Sequence, residues 1–98
     1  MRLQRRDGYW LWVGGPVAPG AAATTIGSLI SVRRSAAGDP RLLRHEREHV
    51  RQWKCNGAAR FLLRYLSPYF RWRLRGYSHW AAYRRIPFEI EAEWLARR

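Results

Sequence analysis

His45-Glu46-Arg47-Glu48-His49 is the stretch of this chain with the most specific chemical pattern. Residues four apart lie on one side of an α-helix, so the imidazoles of His45 and His49 can reach the same metal ion. Glu46 follows the first histidine and can lie beside a metal-bound water as a general base. The pattern predicts a helix that carries two metal ligands and a catalytic carboxylate.

Signals on both sides of this stretch predict the bounds of the helix. Asp39-Pro40 is typical of a helix start, because Asp caps exposed backbone N–H groups and Pro suits the first turn. Asn56-Gly57 predicts the end, since glycine favours the conformation that terminates a helix. The apolar residues between these points predict one buried face. They are Leu42, Leu43, Val50 and Trp53.

The residues before this helix are typical of β-structure. Tyr9-Trp10-Leu11-Trp12-Val13 is rich in strand formers, and Gly14-Gly15-Pro16 predicts a turn after it. Pro19-Gly20 predicts a loop. Residues 24–32 are β-rich and partly alternating, which predicts a second strand or a pair of strands.

Three further segments after the motif helix favour helical structure. We expect a second helix over residues 58–66, and Ser67-Pro68 predicts a break and a new helix start, which Gly76 would end. Pro87 predicts the start of a final helix over residues 88–96. The chain is therefore expected to form one α+β domain, residues 1–98. A short N-terminal sheet or hairpin precedes the motif helix and two to three further helices.

The charge of the chain is strongly basic and unevenly distributed. Nineteen Lys and Arg residues face seven Asp and Glu residues, which gives a net charge of +12. Such a surface attracts polyanions, so weak polyanion binding through the arginines is expected. The acidic residues concentrate in two segments, Glu46 with Glu48 and Glu89 with Glu91 and Glu93. In so basic a chain, this concentration indicates a cation site.

Cysteine content and hydropathy bear on the compartment. Cys55 is the only cysteine, which excludes an internal disulfide and is compatible with the reducing cytoplasm, where we expect the protein. Residues 8–32 carry no charge, but glycine and proline interrupt them, and the run Tyr9–Val13 is far shorter than a membrane span. No transmembrane segment is therefore expected.

A third metal ligand must come from outside the motif, because a catalytic zinc usually takes three protein ligands and leaves one position for water. His79 and the acidic segment 89–93 are the candidates. Glu89 and Glu93 would share one face of the final helix. One of them could bind the metal while the other accepts a hydrogen bond from a ligand histidine.

These residues together resemble a very small gluzincin, the class of zincin metallopeptidases whose third ligand is a glutamate on a later helix. Glu89-Ile90-Glu91-Ala92-Glu93 is similar to the pattern Glu-x-x-Ala-Asp of that class. The chain also resembles minimal gluzincin-like bacterial domains over residues 24–94. Its Tyr83-Arg84-Arg85-Ile86-Pro87-Phe88-Glu89 segment matches theirs, except that Ile86 replaces the usual Asn.

The resemblance implies a peptidase that uses Zn²⁺ to hydrolyse peptide or protein substrates. His45, His49 and Glu89 would bind zinc, and Glu46 would be the general base. The strand before the motif helix would form the rim that pairs with an extended substrate, through Ile26, Gly27, Ser28, Leu29 and Ile30. Tyr83 or His79 could donate a hydrogen bond to the developing oxyanion.

Two other functional classes remain open from the sequence. A chain this short could be a zinc-stabilised module with weak or no activity. It could also bind nucleic acid or an anionic membrane through its arginines, although it carries no helix-turn-helix, zinc-knuckle or RNP signature. Aromatic and aliphatic residues are interspersed with arginine between residues 60 and 75, a pattern that is compatible with a role at a membrane interface.

Overall fold

A four-stranded sheet followed by four α-helices forms the part of the chain that the computed structural model describes, residues 2–18 and 20–97. The predicted α+β class is confirmed. The strands are β1 (Arg2–Arg6), β2 (Tyr9–Val13), β3 (Ala23–Ile26) and β4 (Leu29–Val32). The helices are α1 (Pro40–Asn56), α2 (Ala58–Leu74), α3 (His79–Tyr83) and α4 (Pro87–Ala96), and a 3₁₀ turn covers Arg34–Ala36.

The sheet places β4 in its interior and β3 at one edge, in the order β1-β2-β4-β3. β2 pairs with β1 in antiparallel and with β4 in parallel orientation, and β3 pairs with β4 as an antiparallel hairpin. The sequence predicted either one strand or a pair of strands over residues 24–32, and the structure has the pair, β3 and β4. The predicted loop at Pro19-Gly20 includes residue 19, which lies outside the described residues.

The core lies between the sheet and α1. Leu11 of β2 and Ile30 and Val32 of β4 are almost fully buried, and they form one cluster with Val50 of α1. Burial of each such side chain contributes about 1.5–3 kcal/mol. Because Val50 follows His49 directly, this cluster also fixes the position of the motif helix relative to the sheet.

Both predicted ends of α1 are confirmed. The Asp39 side chain accepts hydrogen bonds from the backbone N–H groups of Arg41 and Leu42, at 3.0 and 3.3 Å. Gly57 ends the helix with a φ of 77°, a conformation that side chains disfavour. These two caps bound α1, in which the four-residue spacing of His45 and His49 places both histidines on one side.

The predicted break at Ser67-Pro68 is wrong, because α2 continues through Pro68 to Leu74. Proline inside a helix costs about 3 kcal/mol, since it removes a backbone hydrogen bond. Aromatic contacts flank Pro68 on both sides. Before it, Phe61 stacks on Trp53 of α1, and after it, Trp72 contacts Tyr77 beyond the helix end.

Two elements were not predicted from the sequence. β1 is basic apart from Leu3 and Gln4, and it pairs with β2 across the turn at Asp7 and Gly8, where Gly8 has a φ of 85°. α3 is a short helix capped by Ser78, whose hydroxyl accepts a hydrogen bond from the Ala81 N–H. Within residues 2–18 and 20–97, no helix combines the length and apolar character needed to cross a bilayer.

Replacing Asp39 with Ala should lower the free energy of unfolding by about 1 kcal/mol, because it removes the cap of α1. Asp39→Asn is the matched control, and it should retain most of the stability because its side-chain oxygen can still accept both hydrogen bonds. Urea denaturation followed by circular dichroism measures both. Equal losses in the two variants would contradict this role for the cap.

Candidate metal centre

The site lies where α1 and α4 pack against each other. Small buried residues on α4, Ala92 and Ala96, allow the two helices to approach closely. Hydrogen bonds join the two helices at both ends of their interface. Arg44 Nε donates to the Ala96 carbonyl, and Gln52 Nε2 donates to the Phe88 carbonyl. The pairing sets one face of α4 directly opposite the two histidines of α1.

Three side chains that can bind a metal converge between these helices. His45 Nε2 lies 3.0 Å and His49 Nε2 lies 3.1 Å from the same oxygen, Glu89 Oε1. The ligand atoms of this group all lie within 4.8 Å of one another. His49 and Glu89 are buried and His45 is partly buried, so a cation there would be largely shielded from water.

The outer nitrogens of both imidazoles already have partners. His45 Nδ1 lies 3.1 Å from Glu93 Oε2, and His49 Nδ1 lies 2.8 Å from Gln52 Oε1. The orientation of the Gln52 amide follows from its nitrogen, which donates to the Phe88 carbonyl and the Glu91 carboxylate. Both Nδ1 atoms therefore face acceptors and carry the proton in neutral imidazole, which leaves each Nε2 as an electron-pair donor.

This arrangement requires a positive charge at its centre. Two Nε2 lone pairs and a carboxylate oxygen would otherwise face one another without a hydrogen between them. Either a protonated imidazole or a bound cation removes that conflict. Four-coordinate zinc with bonds of about 2.0–2.1 Å separates neighbouring ligand atoms by about 3.3 Å, close to the two His–Glu89 separations. The donor set thus fits a divalent metal such as zinc.

The carboxylate of Glu89 is held in its charged form. Burial alone would raise its pKa, but hydrogen bonds from His45 and His49, and a further one from the Tyr65 hydroxyl, lower that pKa well below 4.5. For His49, burial lowers the pKa, yet its contacts with Glu89 outweigh this and raise it above 6.5. In the metal-free protein, Glu89 is therefore an anion that favours a proton on His49.

Glu46 lies beside the three ligands but is not part of the group. Its Oε1 accepts a hydrogen bond of 2.8 Å from the Thr25 hydroxyl, and its Oε2 lies 4.0 Å from His45 Nε2. Burial raises the pKa of Glu46, and the opposing effects of His49 and Thr25 offset this only in part. One carboxylate oxygen is thus fixed by β3, and the other faces the metal-binding group.

A cleft of about 840 Å³ opens over His45 and Glu46. The edge strand β3, the start of α1, and helices α2 and α3 form its walls, which are largely apolar. The residues that line these walls include Ala23, Leu42, Tyr65, Leu66, Tyr69 and Tyr83. The cleft therefore gives access to the carboxylate and to one ligand.

The structure changes the expected substrate rim. Gly27 and Ser28 form the hairpin turn, while Leu29 and Ile30 lie in β4, whose backbone pairs with β2 on one side and β3 on the other. Contrary to expectation, Leu29 and Ile30 are therefore not at an open edge. In the described part of the sheet, the open edge beside the cleft is β3, which contains Ile26 of the predicted rim.

The two candidate oxyanion contacts occupy different positions. Tyr83 lines the cleft with His45 and Glu46, and burial together with the charge of Glu89 raises the pKa of its hydroxyl, which keeps it a neutral donor. His79 lies on the outer wall, where it is exposed and its Nδ1 lies 2.9 Å from the Tyr69 hydroxyl. Tyr83 therefore lies beside the metal-binding group, whereas His79 contacts Tyr69 instead.

Three residues of the site were not predicted from the sequence. Gln52 contacts His49 Nδ1, and its position three residues after His49 on one helix was a usable signal. Tyr65 contacts Glu89 from α2, a separate helix. Thr25 contacts Glu46 from a strand 21 residues away in sequence, and no local pattern could reveal that contact.

Comparison with known proteins adds no relative. No protein-family model, curated protein or solved structure matches the chain.

In the metal-free protein, the Glu89–His49 contact should contribute most to stability between about pH 4.5 and 6.5. The lowered pKa of Glu89 gives stability above its ordinary 4.5, which is lost as pH falls. The raised pKa of His49 gives stability that is complete below 6.5 and is lost as pH rises through the folded-state value. Denaturation with chelator at several pH values measures this.

Glu89→Gln is the control for this pH dependence, because it keeps the side-chain shape and removes the charge. The difference in unfolding free energy between wild type and Glu89→Gln should be largest in that pH window. A difference that stays constant from pH 4 to pH 9 would contradict the described coupling between Glu89 and His49.

Proposed function

We propose that this protein is a zinc-dependent metallopeptidase with His45, His49 and Glu89 as metal ligands and Glu46 as general base. The observation that carries the proposal is the convergence of two imidazole nitrogens and one carboxylate oxygen beside a second carboxylate, that of Glu46, which Thr25 holds separately. The resemblance to gluzincins, noted from the sequence, supports the same assignment.

The number of ligands favours a catalytic over a purely structural metal. Structural zinc sites usually have four protein ligands, whereas catalytic sites have three and leave one position open. The group found among the described residues has three, and a cleft opens beside it. Bound there, zinc would supply Lewis acidity toward the scissile carbonyl and toward a water molecule.

Glu46 is suited to take a proton from the attacking water. Thr25 holds its Oε1, so the other oxygen keeps a fixed direction toward the ligand group. Its raised pKa, a consequence of burial, helps the carboxylate accept a proton and pass it to the leaving amine. We assign to Tyr83, whose neutral hydroxyl lines the same cleft, a hydrogen bond to the charge that develops on the substrate oxygen.

The surroundings of the site suit a peptide. The open edge of β3 offers backbone N–H and C=O groups that an extended peptide can pair with. Ala23 of that strand lines the cleft, and Leu42 and Tyr69 on other walls add apolar surface. We infer a substrate peptide that lies along β3 and places an apolar side chain in the cleft.

Replacing Glu46 with Gln should abolish peptide cleavage and leave zinc binding intact. The variant keeps the shape of the side chain but cannot accept the proton, and loss of a general base typically lowers the rate about 10²–10⁴-fold. Hydrolysis of a quenched fluorescent peptide library and zinc content by mass spectrometry measure the two properties. The alternative of an inactive zinc-stabilised module predicts bound zinc in both proteins and cleavage in neither.

Glu48→Gln is the matched control, since Glu48 lies on the same helix and pairs with Arg51 away from the ligands. Its activity should equal that of the wild type. Cleavage that persists in Glu46→Gln at the wild-type rate would refute Glu46 as the base.

Replacing Tyr65 with Phe should weaken zinc binding about 10–100-fold, because the mutation removes the hydroxyl that donates to Glu89. Tyr69→Phe is the control on the same helix, since its hydroxyl contacts His79 rather than a ligand. Competition with a chromophoric chelator measures both affinities. Equal affinities in the two variants would show that the Tyr65 contact does not support the metal site.

A further inference from the structure

One side of α2 carries an exposed apolar stripe. Leu63, Leu66, Phe70 and Leu74, which we call the α2 outer face, follow one another at spacings of three, four and four residues. Residues with these spacings lie along one side of a helix. Leu63 is 69%, Phe70 56% and Leu74 89% exposed, so this stripe is not part of the core.

Arginines flank the α2 outer face. They are Arg60, Arg64, Arg71, Arg73 and Arg75, and residues 58–88 contain no Asp or Glu. Arg64 contacts the amide oxygen of Asn56, and Arg73 contacts the carbonyl of Tyr77. Within the described part of the chain, no ion pair joins any of the five to a carboxylate. The face therefore combines apolar side chains with unneutralised positive charge.

We propose that the α2 outer face docks the protein on a lipid bilayer that contains anionic headgroups. An interfacial helix needs apolar side chains that enter the acyl boundary and basic side chains that contact the headgroups, and α2 has both. Each arginine near an anionic surface adds attraction that salt weakens. This surface contains none of the three metal-binding residues, and the inference does not depend on peptidase activity.

Other occupants fit the surface less well. A second copy of the chain would bring like-charged arginines together across the contact, in a protein of net charge +12. A nucleic acid would satisfy the arginines but leave Leu63, Phe70 and Leu74 exposed to water, since phosphates offer no apolar surface. A bilayer with anionic headgroups would contact both the apolar side chains and the arginines.

Docking through this face would also position the cleft. Leu66 belongs to the α2 outer face and also lines the cleft over Glu46. The mouth of the cleft would therefore lie close to the lipid headgroups.

Vesicle flotation of the full chain tests the proposal. Vesicles of phosphatidylcholine with about 30% phosphatidylglycerol should bind the protein, pure phosphatidylcholine should not, and salt should weaken the binding. Leu63→Gln/Phe70→Gln should reduce binding at least about tenfold, and Arg60→Gln/Arg71→Gln about 30-fold. All four positions are exposed, and circular dichroism verifies that the fold is retained.

Two matched controls distinguish binding through this face from non-specific hydrophobic binding and from an effect of net charge. Leu3→Gln/Ile90→Gln changes apolar residues of similar exposure, 61% and 55%, elsewhere on the surface. Arg5→Gln/Arg34→Gln removes the same charge from other elements. Both controls should bind vesicles within about twofold of wild type. The proposal is overturned if the protein ignores anionic vesicles, if the controls lose binding as much as the α2 variants, or if only an acidic protein or a nucleic acid is bound.

Discussion

The contact of the Glu89 carboxylate with the imidazoles of His45 and His49 is the interaction on which the geometry of the site depends. It joins α4 to α1 at a buried position where three electron-pair donors meet. Such a meeting is unfavourable without a positive charge, so a proton or a cation is required there. The surrounding hydrogen bonds are consistent with this requirement, because they direct all three groups inward.

The distribution of acidic residues follows from the same constraint. Glu93 accepts from His45 while Arg41 and Arg97 pair with its other oxygen, and Glu91 pairs with Arg51. The carboxylates of α4 are thus each committed to the site or to arginines at its border. The rest of the helical surface is left strongly basic, and α2 shows the result most clearly. The candidate metal centre and the proposed lipid-binding face therefore share one charge pattern.

The sequence predicted the parts of the site that follow from short-range spacing. The bounds of α1 could be read from its capping residues, and the common face of Glu89 and Glu93 could be read from helix geometry. The continuation of α2 through Pro68 could not, because local signals favour a break there and the packing of α2 on other elements, such as Phe61 on Trp53, is not encoded locally. The roles of Tyr65 and Thr25 depend on how separate elements meet, and no pattern within one element encodes that.

The zinc content of the purified protein tests the central claim most directly. Wild-type protein equilibrated with zinc and then dialysed should retain one metal ion per chain by mass spectrometry. Glu89→Ala should retain less, because it leaves only the two histidine ligands. A wild-type protein that is folded by circular dichroism yet retains no zinc after metal-replete equilibration would contradict the account.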